Sequence, residues 1–279
     1  GRGKLAFPCD FSEDVHNTTE YANKLRGKQQ VISSAQSILI VGGGPVGVEM
    51  VGEIAAQHPG KKITLVHAGE TLLTNSAQPI IPAALDKINK KLAGFGVDVK
   101  LKTRVTNLPN LQGGDSFVHD PKVLKLTSYT LSNGDTVEAD LAIVCLGTVR
   151  RNGNLVDAVD ADNYVKVGAD LQVEGMPKVF CAGDANNLRE TKLAYFAAKH
   201  AALAASNILK LEQKKPTDTY TVMDGNTEYG VMFVPLGPNK GAGALGKTVM
   251  GDYLVSLAKG KGLFTKKTWG FFNKPVPAL

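Results

Sequence analysis

Ser37-Ile38-Leu39-Ile40-Val41-Gly42-Gly43-Gly44-Pro45-Val46-Gly47-Val48-Glu49-Met50 decides the fold. Its first residues form an apolar, β-branched run, the pattern of a buried strand. A tight glycine turn follows. Val46, Met50 and Ile54 then recur at helical spacing. Gly42, Gly44 and Gly47 match G-x-G-x-x-G in the context that gives the motif weight, strand before and helix after. Gly42 permits the turn, Gly44 lets a pyrophosphate approach the backbone, and Gly47 lets helix and strand pack closely. Pro45 suits the first helical position, where a missing N–H costs nothing. The free N–H groups and the positive dipole end of that helix then face a phosphate. The competing reading is a glycine-rich βα turn in some other α/β protein.

Outward from this unit the pattern stays regular. On its N-terminal side residues 1–17 read as loop, and Thr18 or Thr19 caps a helix running towards Ile32. On the other side His58-Pro59-Gly60 stops the nucleotide helix. Lys62 to His67 is a second strand. Ile81, Leu85, Ile88 and Leu92 share a helical face, ended by Gly94 and Gly96. Val97 to Leu101 is a third strand. Such a β-α-β-α-β order implies a parallel sheet with right-handed crossovers. Arg104–Leu108, Lys122–Leu131 and Thr136–Ala139 read as an antiparallel meander, with Asn133-Gly134 as its hairpin turn. Leu141 to Leu146 returns as a buried strand ending at Gly147-Thr148. Lys178 to Asp184 reads as a further buried strand closing in a Gly-Asp turn. An Ala-rich helix runs from Thr191 to Leu209, with Lys199 and His200 as an exposed pair. Beyond Lys214-Lys215-Pro216 the segments 220–223 and 231–234 look like strands, and 250–258 like a short helix.

The 279 residues suggest about two domains. A 43% apolar fraction supports a packed core, and no run is long enough to span a bilayer. Cys9, Cys145 and Cys181 form no C-x-x-C, which gives no support to a dithiol pair or thiolate zinc site and fits a reducing, intracellular, cytoplasmic setting. Cys145 and Cys181 lie in apolar runs and read as core residues. The start, Gly-Arg-Gly-Lys, is neither a signal peptide nor an initiator methionine, so the chain is expected to begin inside a longer protein. Net charge is +6, and no nucleic-acid partner is expected.

Three features in order carry a resemblance: G-x-G-x-x-G with Val48-Glu49, the strand ending in Gly147-Thr148, and Val179-Phe180-Cys181-Ala182-Gly183-Asp184. Together, from about Gln36 to about Trp269, they resemble the pyridine-nucleotide:disulfide oxidoreductase-like flavoproteins. Lacking C-x-x-C, the chain is most similar to the apoptosis-inducing-factor-like and type II NADH dehydrogenase branches. The resemblance implies an α/β fold of two-dinucleotide type: a Rossmann-like parallel sheet with an inserted antiparallel β-meander, a partial FAD domain and a small C-terminal α+β region. The expected divisions are 1–36 (remnant of the FAD domain and linker), 37–150 (NAD(P) domain), 151–215 (C-terminal part of the FAD domain) and 216–279 (C-terminal domain).

It also implies an FAD-dependent NAD(P)H oxidoreductase that reduces quinones. On that pattern Gly42, Gly43, Gly44, Pro45, Val46 and Gly47 hold the NAD(P)H pyrophosphate. Glu49 lies near the nicotinamide ribose or the flavin edge, and Gly147 borders the nicotinamide. Gly183 admits the flavin pyrophosphate and Asp184 bonds the ribityl chain. Lys192, Leu193 and Ala194 offer backbone groups to the isoalloxazine. Two departures stand out. His67, with Glu70 shortly after, occupies the position where NAD enzymes place the acid that bonds the ribose 2′-hydroxyl. Coenzyme preference therefore stays open. No earlier glycine βαβ unit for the ADP half of FAD precedes Gln36. A non-catalytic NAD(P)-binding or interaction protein without flavin is the alternative.

Two further stretches invite function. Lys259, Lys261, Lys266, Lys267 and Lys274 accompany Phe264, Trp269, Phe271 and Phe272, with no acid among residues 259–279. This composition suits the surface of a membrane or lipid droplet. At about 1 kcal/mol per Lys, the five would supply up to roughly 5 kcal/mol on an anionic surface. Its rival is a domain cover with aromatics packed inward. Gly241 to Thr248 matches G-x-x-x-x-G-K-[ST]. Too little chain follows for the sheet a P-loop begins, so it reads as a chance match in a glycine-rich connection.

Overall fold

The computed structural model describes residues 17–74, 79–109, 116–119, 123–146, 156–222, 230–262, 265 and 269–270. These fall into two compact units, divided near residues 76–79, 148 and 230.

The first unit opens with α1 (Thr18–Ser34), capped by Asn17, whose side chain accepts the amides of Thr19 and Glu20. The cap is thus one residue earlier than Thr18, because Asn17 adopts the extended backbone a cap needs. β1 (Ser37–Val41), α2 (Pro45–Gln57), β2 (Lys62–Val66), α3 (Pro82–Gly94) and β3 (Asp98–Lys100) follow as the periodicity predicts. Next come β4 (Phe117–Val118), β5 (Thr127–Thr130), β6 (Thr136–Ala139) and β7 (Leu141–Val144). The sheet order is β3-β2-β1-β7-β4, with β4 alone antiparallel.

Alternation along the central strands separates two apolar layers. Ile38, Ile40, Ile63, Leu65, Leu141 and Ile143 meet Val48, Val51 and Ile54 of α2 and Ala84, Ile88 and Leu92 of α3. Leu39, Val41, Val66, Ala142 and Val144 meet Tyr129 of β5, Leu131 just beyond it, and Val137 and Ala139 of β6. The inserted hairpin therefore covers the sheet face that the helices leave bare, which is why β1 is buried at every position and apolar from Ile38 to Val41. The hairpin turns at Gly134, at φ +90°, between Thr130 and Thr136. The expected third meander strand is only a bridge, Val105 to Leu131. Val105 and Leu108 pack against the core beneath the hairpin, while the polar Arg104 and Thr106 stay exposed.

In the second unit β8 (Gln172–Val173) and β9 (Met176–Phe180) form an antiparallel pair joined through Gly175 at φ +77°. β9 differs from expectation: it is not an interior strand, and Val179 is 39% exposed. β8 is its one strand partner among the described residues. The unit's core gathers Ala158, Val165, Val167, Leu171 and Val173 with Ala204 of α4 (Ala194–Glu212).

The chain then returns to the first unit as β10 (Met232–Pro235), β11 (Gly241–Leu245), β12 (Thr248–Met250) and α5 (Asp252–Val255), continued by a π-helical turn, Ser256–Gly260. The glycine-lysine match at 241–248 is a β-hairpin, not a phosphate loop. Within β11, positions 241 and 243 need glycine because a Cβ there would collide with Val234 O and Met232 O of the neighbouring strand. The segment 220–222 is not a strand. No helix of the described residues is long and apolar enough to cross a membrane.

Candidate dinucleotide-binding sites

The glycine turn in the first unit is pinned from three sides. Gly42 donates to Val66 O (2.8 Å), Cys145 donates to Val41 O (2.7 Å), and Leu73 donates to Gly43 O (2.8 Å). Gly42 sits at φ +114°, and a Cβ on it would lie 2.5 Å from Cys145 O. A Cβ on Gly47 would overlap the Gly42 carbonyl, and one on Gly43 would meet Leu72 and His67. Gly44 is the N-cap of α2 with no side-chain cap, and Pro45 takes the first helical position. Helix geometry leaves the Val46 and Gly47 amides without intrahelical acceptors. Val46 itself is 51% exposed. A 13-residue helix thus begins at an open, uncapped end, a fit for a diphosphate.

His67 does something its place in the chain does not announce. It is buried, its Nδ1 accepts the Gly43 N–H (3.1 Å), and its Nε2 lies 3.2 Å from Thr74 Oγ1. Nδ1 as acceptor places the proton on Nε2, and burial holds the imidazole below the usual histidine range. Both nitrogens serve the protein, so His67 buttresses the turn and leaves neither for a ribose hydroxyl or a 2′-phosphate. Glu70 is exposed and paired with Lys102 (2.9 Å). That hydrogen bond holds its carboxyl below the usual range.

Glu49, on α2 two residues beyond Gly47, meets Lys259 at 2.6 Å; both are about a quarter exposed. Burial pushes its carboxyl up, and Lys259 opposes that. The sequence placed Lys259 in a wet basic tail. It turns inward instead, and its ammonium also donates to Phe233 O (3.5 Å). A separation of 210 residues leaves no local signal for the pair. Gly147 lies outside the described residues. So do Phe264, Lys266, Lys267, Phe271, Phe272 and Lys274.

The Gly-Asp turn is in the second unit. Gly183 is at φ +73°, and a Cβ there would be 3.1 Å from Ala197 Cβ. Asp184 is exposed. Lys192 folds back, donating to Asn186 O (2.8 Å), Asn186 Oδ1 (3.1 Å) and Leu188 O (2.9 Å). Its ammonium braces the loop, leaving the main chain as its group for a ligand. Leu193 is the N-cap of α4 without a side-chain cap, and Ala194 is exposed at the helix start. A glycine in the left-handed region, an outward carboxylate and an uncapped helix end fit the middle of a flavin nucleotide. Expected as exposed, His200 is instead 1% exposed beside Glu190 at 0%. A lone histidine on a helix carries no local sign of this, because its partner precedes the helix.

The glycine turn, the inserted hairpin and the Gly-Asp turn together define a two-dinucleotide flavoprotein architecture. Residues 3–201 match the pyridine nucleotide-disulphide oxidoreductase model, and the chain belongs to that family. FAD and NAD(P)H are the cofactors that membership of this family implies. The chain is 31% identical over 252 residues to ferroptosis suppressor protein 1 of Taeniopygia guttata, covering 88% of this chain and 63% of that protein's length. It is 29% identical over 292 residues to apoptosis-inducing factor homolog B of Dictyostelium discoideum, covering 100% of this chain and 74% of that one. In fold it is similar to a water-forming NADH oxidase from Lactobacillus brevis bound to NADH, with a TM-score of 0.59 and 19% identity, over 82% of this chain and 45% of that one.

Proposed function

We propose that the chain is the coenzyme-holding part of an NAD(P)H-dependent flavoprotein oxidoreductase that sends electrons to a quinone-type acceptor. The observation that carries this is the uncapped start of α2 on a glycine turn that tolerates no side chain. The quinone rests on the resemblance to the apoptosis-inducing-factor-like branch. The paired cofactors supply hydride chemistry. The chain's own residues bind and orient. The Val46 and Gly47 amides hold the diphosphate, and His67 keeps the turn in shape from beneath. Glu49, its charge balanced by Lys259, faces the nicotinamide ribose, with Gly147 at the nicotinamide edge. Gly183, Asp184 and the main chain of Lys192, Leu193 and Ala194 receive the flavin.

On the same reading the protein works in a reducing intracellular compartment, with its C-terminal segment against a membrane or lipid-droplet surface. Support comes from Tyr253 (78% exposed), Leu254 and Leu257 beside exposed Lys261. Co-sedimentation with liposomes should rise with anionic lipid; indifference to it refutes this part.

The deciding experiment is the absorbance spectrum of the purified chain, followed by NADH. A yellow protein bleached by NADH supports the oxidoreductase. A colourless protein that binds NADH saturably points to the non-catalytic nucleotide-binding alternative. A folded protein that binds no pyridine nucleotide refutes both.

A further inference from the structure

The Gly183-Asp184 turn rests on a buried polar network that hydride chemistry does not call for. Gly183 donates its N–H to His200 Nδ1 at 3.1 Å, and Asn186 Nδ2 lies 3.3 Å from the same nitrogen while also donating to Cys181 O. Two N–H groups directed at Nδ1 require a lone pair there, so the ring proton sits on Nε2. Nε2 is 2.6 Å from Glu190 Oε1, although the ring N–H is not well aimed at that oxygen. Tyr220 donates its hydroxyl to Glu190 Oε2 at 3.1 Å, and its ring meets the imidazole edge-on with centroids 4.5 Å apart.

The groups facing His200 are thus Glu190, Tyr220 and Asn186, with the charges of Lys192 and Asp184 close by. Burial lowers the imidazole's affinity for a second proton, and Glu190 only partly restores it. A second proton would have to enter at Nδ1, facing the Gly183 and Asn186 donors. The other glycine turn repeats the device, with the Gly43 N–H on buried His67 Nδ1 at 3.1 Å.

We infer that His200, oriented by Glu190, is a positioning residue for the flavin-facing turn: as the neutral Nε2–H imidazole it accepts the Gly183 amide and fixes the Gly183-Asp184 peptide in its left-handed conformation. This rests on the flavin reading above for its consequence, but not for its geometry. The amide of Gly183 is thereby withheld from the ligand, and Asp184 is directed outward. Protonating His200 releases the turn, so flavin affinity falls on acidification.

The test is equilibrium FAD titration of the full chain between about pH 5 and pH 8, with wild type, His200→Asn, His200→Leu and Glu190→Gln. Asn retains an oxygen for the Gly183 amide and nothing that titrates. His200→Asn is expected within about threefold of wild type at neutral pH, with a flat profile on the acid side. His200→Leu, which orphans the amide, is expected to bind about tenfold more weakly at every pH. Glu190→Gln removes the charge that favours the imidazolium and moves the acid fall to lower pH. Identical profiles for wild type and His200→Asn overturn the inference, as does full affinity in His200→Leu. If wild type takes up no FAD at any pH, the flavin reading fails on its own. Hydrogen exchange at the Gly183 amide in the cofactor-free chain then decides the geometry. Exchange about tenfold faster in His200→Leu and restored in His200→Asn supports it, and an unchanged rate overturns it.

Discussion

Replacing Gly42 by alanine tests the glycine turn at its most constrained point. Two costs arise together. The backbone sits at φ +114°, a region L-residues rarely adopt, and holding it there costs about 1–3 kcal/mol. The new Cβ would also lie 2.5 Å from Cys145 O and 2.9 Å from Cys145 C. Both are backbone atoms next to β7, which is registered against β1 through Val41 and Val144, so no side chain can swing clear. Overpacking of this kind costs about 1–3 kcal/mol. A loss of about 2–5 kcal/mol in urea unfolding is expected, the sum of those two ranges less some relaxation. NADH affinity, read by fluorescence titration of the folded fraction, should fall at least about tenfold, because the Val46 and Gly47 amides move with the turn. Gly27→Ala in α1 is the matched control. It has open space around its Cβ, and helix propensity makes it more stable by about 0.5–1 kcal/mol. A Gly42→Ala protein within about 0.5 kcal/mol of wild type, with unchanged NADH binding, would refute the reading of the turn.

Three further outcomes are expected. Lys259→Met removes the hydrogen-bonded partner of Glu49 and should cost about 1–2 kcal/mol, discounted for partial exposure. Because Glu49's folded carboxyl titrates above its usual value, its share of stability is present below the unfolded pKa and lost as pH rises through the folded one. Without Lys259 that loss grows, which denaturation at several pH values will detect. Asp140 accepts Gln36 N (2.7 Å), Ser37 N (3.2 Å) and Ser37 Oγ (2.6 Å), clamping the start of β1. Burial raises its carboxyl, but these bonds and Lys61 outweigh it and hold it below the usual range. Its contribution is therefore present above the unfolded pKa and lost as pH falls through the folded one. Asp140→Ala should cost about 1–2 kcal/mol at neutral pH and flatten the acid side of the stability curve. Cys145 is pushed up to about 12 by burial. Peptide mapping after alkylation near neutral pH should find it unmodified in the native protein and modified after unfolding; modification at equal rates would contradict its burial.

What the chain's local pattern determined is the strand, glycine turn and helix at Ser37 to Gln57, the parallel β-α-β-α-β order, and the hairpin at Asn133-Gly134. Steric allowance at a glycine, an apolar period of two or 3.6, and a free helix end all depend on neighbours a few residues away. Gly241 to Thr248 is separated from a phosphate loop on different grounds, the short length of chain left after it. That it is a hairpin with glycines pressed against Val234 O and Met232 O needed the strand beside it.

Tertiary structure decided the rest. Lys259 leaves the basic tail for Glu49, 210 residues away. His67 and His200 turn inward to hold glycine amides, and Lys192 turns its charge into its own loop. Each of these polar side chains would be at home in water by its own chemistry. Burying one requires a partner that satisfies its hydrogen bonds, and the partner's place along the chain is set by the fold, not by spacing.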